Sequence, residues 1–492
     1  MFKLVSTRDN NEKVTFKQAI INGLSPNKGL YVPSNIHELT LDLKKMQHMN
    51  YLEMAKYLFS IFVDDYSEAE INQCIDLAYS NSFTTKDVVK VSDCGNLKLL
   101  ELYHGPTSAF KDVALQLLPQ LLTTAIKQQQ QKVMILTATS GDTGKAALEG
   151  FKDILNIDIT VFYPYQKVSM IQDLQMRTTT GHNTHVASVN TDFDGCQALC
   201  KQVFNNQDFN QKVADKNYIL SSANSINIGR LTPQIVYYFY TYFKLLNNQE
   251  IQTDEKIDFV VPTGNFGDVL AGYYAKLLGL PINKLIVATN ENKILCDFIQ
   301  TGIYDAQREL ITTISPSMDI LVSSNVERLL YDLYDNNAKE VKKLMTDLET
   351  KRRYQISKQA LAKLQANFAV GYCSNEDSKQ TIKAVYEKTH KVLDPHTACG
   401  YKVYQDYQKN TSSQTKTVLL QTASCYKFAN DVYQALTSQK ASDEFMAMEA
   451  IFKLCQEPIP ANLAQLSQLT IKHDTNIDPK AVYTYIGGLL NV

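Results

Sequence analysis

A lysine sits at the end of a polar, turn-rich run, His104-Gly105-Pro106-Thr107-Ser108-Ala109-Phe110, and is followed by Asp112 and an apolar stretch, Val113-Ala114-Leu115-Gln116-Leu117-Leu118. Gly105 and Pro106 favour a turn, and the apolar stretch reads as the start of a buried helix. Lys111 is thereby placed where a loop becomes a packed helix. A lysine against apolar walls loses its proton more easily, because desolvation disfavours the ammonium. A neutral amine of this kind can form a Schiff base with an aldehyde. Most helix-start lysines are simply solvated, so Lys111 gains a role only if the chain also supplies sites for a phosphate and a carboxylate.

Two segments have that character. Thr139-Ser140-Gly141-Asp142-Thr143-Gly144 follows the apolar run Val133-Met134-Ile135-Leu136 and precedes a helical stretch, Lys145–Phe151. A glycine- and hydroxyl-rich strand-to-helix turn aims backbone N–H groups outward at a helix N-terminus, which suits a carboxylate or phosphate. It is not a nucleotide P-loop: the four-residue gap between glycines is missing, and Ala146 stands where Ser or Thr would hold magnesium. Pro262-Thr263-Gly264-Asn265-Phe266-Gly267-Asp268 repeats the context between a strand and the apolar helix Val269–Leu278. Its Gly-x-x-Gly spacing lets backbone fold around an anion with the helix dipole behind it, and the full dinucleotide fingerprint is absent.

The elements that must hold these loops follow from hydrophobic patterning. Short apolar runs at Val133–Leu136, Ile157–Phe162, Thr184–Val189, Ile257–Val261 and Leu285–Ala288 read as buried strands. Helical stretches near 168–177, 193–205 and 232–246 alternate with them. This alternation predicts an α/β fold with a mostly parallel sheet. Residues 323–366 read as helical, Val418-Leu419-Leu420 as a late strand, and 429–436 as a helix. Toward the N-terminus, 50–63 reads as an amphipathic helix, and Ser67 with Glu70 forms a capping box before a second one. The expected organisation is a small α-rich N-terminal unit over 1–85, a two-part α/β region over 86–440, and an extension over 441–492 without a clear motif. The Gln128–Gln131 tract reads as an exposed helix end.

Composition narrows the function classes. The 492 residues carry a net charge of −2 and no basic run, so no field attracts nucleic acid. No stretch approaches the roughly 20 apolar residues of a membrane span, and no signal peptide is visible. The nine cysteines lack paired metal spacing; Cys196 and Cys200 lie one helical turn apart with no second pair. A cytoplasmic protein with reduced thiols and no metal is expected. One amine and two anion cradles on an α/β scaffold match the needs of a pyridoxal phosphate enzyme acting on an amino acid.

At these residues the chain resembles the threonine synthase family, fold-type II pyridoxal phosphate enzymes with a tryptophan synthase β-like fold, in the longer type that has its own N-terminal domain. The matching segments are His104–Asp112, Ala138–Gly144 and Thr263–Asp268. Gly23–Pro33, Asn224–Arg230 and Asp394–Gly400 match more weakly, and all run in the family's order. The resemblance implies that Lys111 binds the cofactor aldehyde and acts as base, and that Gly264, Asn265, Phe266, Gly267 and Asp268 wrap its phosphate. It implies that Ser140, Gly141 and Thr143 meet the substrate carboxylate, with Asp142 near the cofactor ring. Thr422 would hydrogen-bond the pyridine nitrogen, and Arg230 would clamp a phosphorylated substrate. The family's usual Thr-Ala-His-Pro-Ala-Lys-Phe is Thr422-Ala423-Ser424-Cys425-Tyr426-Lys427-Phe428 here. His104 is expected to be structural, and Asp394–Thr397 to be a helix cap. The implied activity is conversion of O-phospho-L-homoserine and water into L-threonine and phosphate, by a monomer or homodimer. The alternatives are another enzyme of this fold type, such as a threonine or serine dehydratase, and a non-catalytic relative that binds the cofactor.

Overall fold

The computed structural model describes residues 3–127 and 131–492, so most of the Gln128–Gln131 tract lies outside the described residues. Two parallel sheets carry the molecule. The strand Lys132–Ala138 is buried along nearly its whole length, as its unbroken apolar run requires. It pairs in parallel with Ile157–Pro164 on one side and Tyr218–Ser221 on the other, with Val133 opposite Ile157 and Ile219. Thr184–Val189 and then Thr475–Ile477 complete a five-stranded sheet. The second sheet has six strands in the order Phe368–Tyr372, Ile282–Thr289, Ile257–Pro262, Thr417–Gln421, Leu97–Glu101 and Lys90–Cys94. It is parallel except for the hairpin Lys90–Cys94/Leu97–Glu101. The α/β expectation holds, and each expected strand lies in a strand of the structure.

The N-terminal unit is α-rich, as expected, and also carries a small sheet. Leu4–Ser6 pairs antiparallel with both Asp9–Val14 and Tyr31–Pro33, giving a three-stranded sheet. One edge strand is the charged run Asp9-Asn10-Asn11-Glu12-Lys13, half in solvent, so it lacks the apolar alternation by which strands are recognised. The helices Tyr51–Phe62 and Glu68–Tyr79 form as expected, each opened by a capping box, at Asn50/Glu53 and Ser67/Glu70. Their apolar faces share one core with the helix Ile228–Asn247; the Tyr51 and Tyr240 rings meet edge to face at 5.4 Å. The wholly buried Arg328 adds polar ties, donating to the carbonyls of Tyr31 at 2.9 Å and Ile226 at 2.5 Å.

The end of the chain also has more order than its pattern suggests. Thr475–Ile477 becomes an edge strand of the five-stranded sheet, and the helix Val482–Leu490 packs its apolar side into the same core as Phe162 and Val203. The strand is only three residues long and takes its register from Ala187–Val189, so no local signal announces it. Among the described residues no helix is long and apolar enough to cross a membrane.

Candidate functional site

The lysine loop is held from both sides. Gly105 has no room for a side chain, since a Cβ there would lie 2.5 Å from Cβ of Asp112. The buried Asp112 carboxylate accepts from the Thr107 N–H at 2.8 Å and the Thr107 hydroxyl at 2.6 Å, and burial pushes its pKa up to about 6. Phe110 donates its N–H to the Thr422 carbonyl at 2.8 Å, and Ser424 donates to the Ser108 carbonyl at 3.1 Å. The loop is thereby stitched to the chain leaving the strand Thr417–Gln421, and Ser424 takes part in the stitch through its backbone. The apolar stretch after Lys111 folds as two short helices, Lys111–Leu115 and Leu117–Ile126, that meet at Gln116.

Lys111 itself is buried. Its Nζ lies 3.4 Å from Ser317 Oγ, 3.8 Å from Asp142 Oδ2 and 4.6 Å from the centre of the Phe110 ring. Burial lowers its pKa; Asp142 opposes the shift, and the cations Lys427 and Arg230 add to it.

The first glycine loop closes on Thr139, whose hydroxyl accepts from the N–H groups of Gly141 and Gly144, both at 2.9 Å. Gly141 has φ +138°, and a Cβ would lie 2.2 Å from the Gln172 side chain, so only glycine fits there. The helix Asp142–Phe151 starts at the next residue. Asp142 receives Lys427 Nζ at 2.8 Å, Gln172 Nε2 at 3.1 Å and Ser317 Oγ at 3.3 Å. Burial alone would raise its pKa, but Lys427 and Lys111 outweigh burial and hold the carboxylate well below its usual range.

The second loop passes through a left-handed residue, Phe266 with φ +63°, at the start of the helix Gly267–Leu277. The Gly264 carbonyl accepts from Ser323 Oγ at 2.8 Å, and the Asn265 carbonyl accepts from Asn325 N and Nδ2 at 3.2 and 2.9 Å. A Cβ on Gly264 would lie 2.4 Å from the Ser317 carbonyl oxygen. Asp268, buried just inside the helix, has its pKa pushed up to about 6 by desolvation.

One cavity gathers most of the residues singled out in the sequence. Lys111 and Thr422 line it beside Ser140, Asp142 and Thr143 of the first loop. Gly264, Asn265, Gly267 and Asp268 of the second loop line it as well, as does Arg230. Gly141 and Phe266 are not on its wall. The Gly141 N–H is already taken by Thr139, and the left-handed turn sends the Phe266 ring into the core against Phe368 at 5.7 Å.

His396 lies in the expected cap and also lines the cavity. Asp394 caps the helix Pro395–Thr411 through the His396 and Thr397 N–H groups. The imidazole also lines the cavity, with Nδ1 on Asp394 at 2.9 Å and Nε2 accepting from the Ser317 N–H at 3.2 Å. His104 is structural, bonded to Glu101 at 3.0 Å and stacked on Tyr103.

Sequence reasoning missed Ser317, which touches Lys111, Asp142 and the Gly264 turn from a segment with no motif, Ser315-Pro316-Ser317. It also missed Lys427. The available signals were that Lys427 keeps its place in the family's Thr-Ala-His-Pro-Ala-Lys-Phe pattern and that it lies between two aromatic residues, Tyr426 and Phe428.

The donor set suits a phosphate-bearing aldehyde and an anionic substrate. Lys111 is a desolvated amine, Gly264 allows close backbone approach, and Arg230 offers an unfilled donor. The buried Arg230 guanidinium gives one nitrogen to the Ala223 carbonyl at 2.6 Å, while its Nε has no hydrogen-bond partner among the described residues. Burial pushes its pKa down to about 10, so it stays charged at neutral pH. An unpaired buried donor of this kind is costly unless an anion completes it.

Residues 3–79 match the family model for the threonine synthase N terminus, 96–422 that for pyridoxal-phosphate dependent enzymes, and 397–486 that for the threonine synthase C-terminal region. Threonine synthase of Saccharomyces cerevisiae is 36% identical over 465 residues, covering 88% of each chain. The Pseudomonas aeruginosa threonine synthase is 38% identical over 436 residues, 88% of this chain and 90% of its own. Human threonine synthase-like 1 is 38% identical over 459 residues; the match spans 89% of this chain but 61% of that protein. Among solved structures, the pyridoxal-phosphate-bound threonine synthase of Brucella melitensis superposes with a TM-score of 0.87 at 35% identity, covering 100% of both chains. The Escherichia coli threonine synthase gives 0.78 at 28% identity, covering 99% of this chain and 100% of its own.

Proposed function

Because this chain belongs to the threonine synthase family of pyridoxal-phosphate-dependent enzymes, we propose that it converts O-phospho-L-homoserine and water into L-threonine and phosphate, the last step of threonine biosynthesis. The observation that carries the reading is the Lys111 amine, buried and sharing one cavity with both glycine loops and Arg230. Pyridoxal phosphate, when bound, supplies an aldehyde for that amine and a ring that takes up carbanion charge.

The chain's own residues divide the remaining work. Lys111, its pKa lowered by burial, would hold the cofactor through its aldehyde and would serve as the base toward the substrate α-carbon. The backbone of Gly264, Asn265, Phe266, Gly267 and Asp268 would hold the cofactor phosphate, at the N-terminus of an 11-residue helix. Phe266 contributes main chain alone. Thr422 offers a neutral hydroxyl to the ring nitrogen, and Asp142 sets the charge beside the ring. Ser140 and Thr143, at the start of the helix Asp142–Phe151, receive the substrate carboxylate, with Gly141 shaping their turn. Arg230 binds the substrate phosphate and steadies it as it leaves, guanidinium matching phosphate oxygens.

The same reading takes 1–85, 86–440 and 441–492 as the three units of the chain, acting in the cytoplasm as a monomer or homodimer on a small-molecule substrate. The test is incubation of the purified protein and pyridoxal phosphate with phosphohomoserine. Threonine and phosphate appearing in equal amounts support the proposal. Ammonia and a keto acid from threonine or serine, without threonine synthesis, would replace it with a dehydratase. Cofactor uptake with no turnover of any of these substrates would leave a binding protein.

A further inference from the structure

Lys427 is wholly buried and lies behind the cavity wall rather than on its lining. Its Nζ makes two contacts, the Asp142 carboxylate at 2.8 Å and the Thr107 carbonyl at 3.0 Å. Thr107 belongs to the loop that ends in Lys111. A single buried ammonium therefore joins the lysine loop to the first residue of the helix after the first glycine loop. We propose that Lys427 is a positioning residue that neutralises Asp142 and so leaves the Lys111 amine free to lose its proton. The inference rests on the reading of Lys111 as the amine that meets the cofactor.

The charges facing these groups set the sign. Asp142 is met by Lys427 at 2.8 Å and by Lys111 at 3.8 Å, with neutral donors from Gln172 and Ser317. Arg230 and Asp268 act on Lys111 from farther off, and Asp112 lies near Lys427. With Lys427 present, the carboxylate already has a closer cation, and a second ammonium on Lys111 adds an unmatched buried charge. With Lys427 gone, Asp142 has only Lys111 to pair with. A buried carboxylate at this distance favours the protonated amine. Lys427 is thus the closer counter-charge of Asp142, at 2.8 Å against 3.8 Å for Lys111, and weakens the hold of the carboxylate on the Lys111 ammonium. Its bond to Thr107 fixes the loop in the same stroke.

The test needs no substrate. Pyridoxal phosphate is added to cofactor-free full-length protein over a range of pH, the product is fixed with borohydride, and capture at Lys111 is read by peptide mass. The rate follows the deprotonated fraction of the amine. In Lys427→Met the midpoint should rise by about one pH unit or more, and an unchanged midpoint would overturn the inference. In the double variant Lys427→Met/Asp142→Asn the midpoint should fall back to the wild-type value or below it. A midpoint as high as that of the single variant would show that Lys427 does not act through Asp142. Where Lys427→Met does not fold, Lys427→Gln, which keeps a donor toward Thr107, is tested in its place. Its midpoint should rise by about one unit, and an unchanged midpoint would refute the proposal. Absence of capture at Lys111 in the wild-type protein would instead refute the reading of Lys111 itself.

Discussion

Gly264→Ala is a sharp probe of how the second glycine loop is held. A methyl group there would lie 2.4 Å from the Ser317 carbonyl oxygen, about 1 Å short of ordinary contact. The obstacle is backbone, so it cannot swing aside as a side-chain tip would. Ser317 is also tied to His396 through its N–H and to Lys111 and Asp142 through its hydroxyl. Overpacking against such a wall costs about 1–3 kcal/mol. That cost appears as lost stability, or, where the loop shifts to avoid it, as weaker cofactor binding, with about 1.4 kcal/mol for each tenfold in affinity. The control is Gly267→Ala three residues on. Its Cβ would meet Asn325 Nδ2 and Gln234 Nε2 at 3.6 and 3.7 Å, both ordinary contacts, in the first residue of a helix. It should change stability by no more than about 0.5 kcal/mol. Chemical denaturation and pyridoxal phosphate titration of both variants measure the difference. If Gly264→Ala matches Gly267→Ala in both, the close approach of Ser317 is not what shapes the loop.

Other consequences are separately testable. Lys111→Ala should abolish threonine formation while the circular dichroism spectrum and denaturation midpoint stay near wild type; retained turnover in cofactor-loaded variant would sink the assignment of the base. Arg230→Gln should raise KM for phosphohomoserine by about tenfold or more, with cofactor affinity little changed; steady-state kinetics read the split. Asp268 has its pKa raised by burial to about 6, so the folded chain holds its proton over a range where the unfolded chain has lost it. Its contribution to stability is full below about pH 4 and declines as pH rises through about 6, a loss of about 3 kcal/mol. Asp268→Asn should flatten that decline in denaturation curves measured from about pH 4 to pH 7 on cofactor-free protein, and an unchanged slope would count against it.

The sequence was most legible where the structure is most local. The runs at Val133–Leu136 and Ile257–Val261 announce buried parallel strands because both of their faces are covered. The glycines at 141 and 264 announce tight turns, and each lies where a Cβ would collide with a neighbour. Apart from Gly29–Pro33, which reads as a short strand or extended turn, the strands of the N-terminal sheet and the edge strand Thr475–Ile477 were not legible. Short, half-exposed strands take their conformation from a distant partner and carry little pattern of their own. The same limit applies inside the cavity. Gly141 and Phe266 sit in the right loops, yet one spends its N–H on Thr139 and the other turns its ring into the core.

By itself, then, the sequence determined two strand-loop-helix units, a lysine at a loop-to-helix junction, and a family whose motifs appear in order. Those properties depend on residues within a few positions of one another, where backbone preference and hydrophobic period act directly. Tertiary structure alone decided which groups face the lysine. Ser317 reaches Lys111 across the cavity, and Lys427 reaches Asp142 from the far end of the chain. Such pairings depend on how two sheets and their loops converge, and on the low-dielectric interior in which a charge must find its counter-charge. No local pattern encodes that convergence, so the charge environment of Lys111 became visible only in the folded chain.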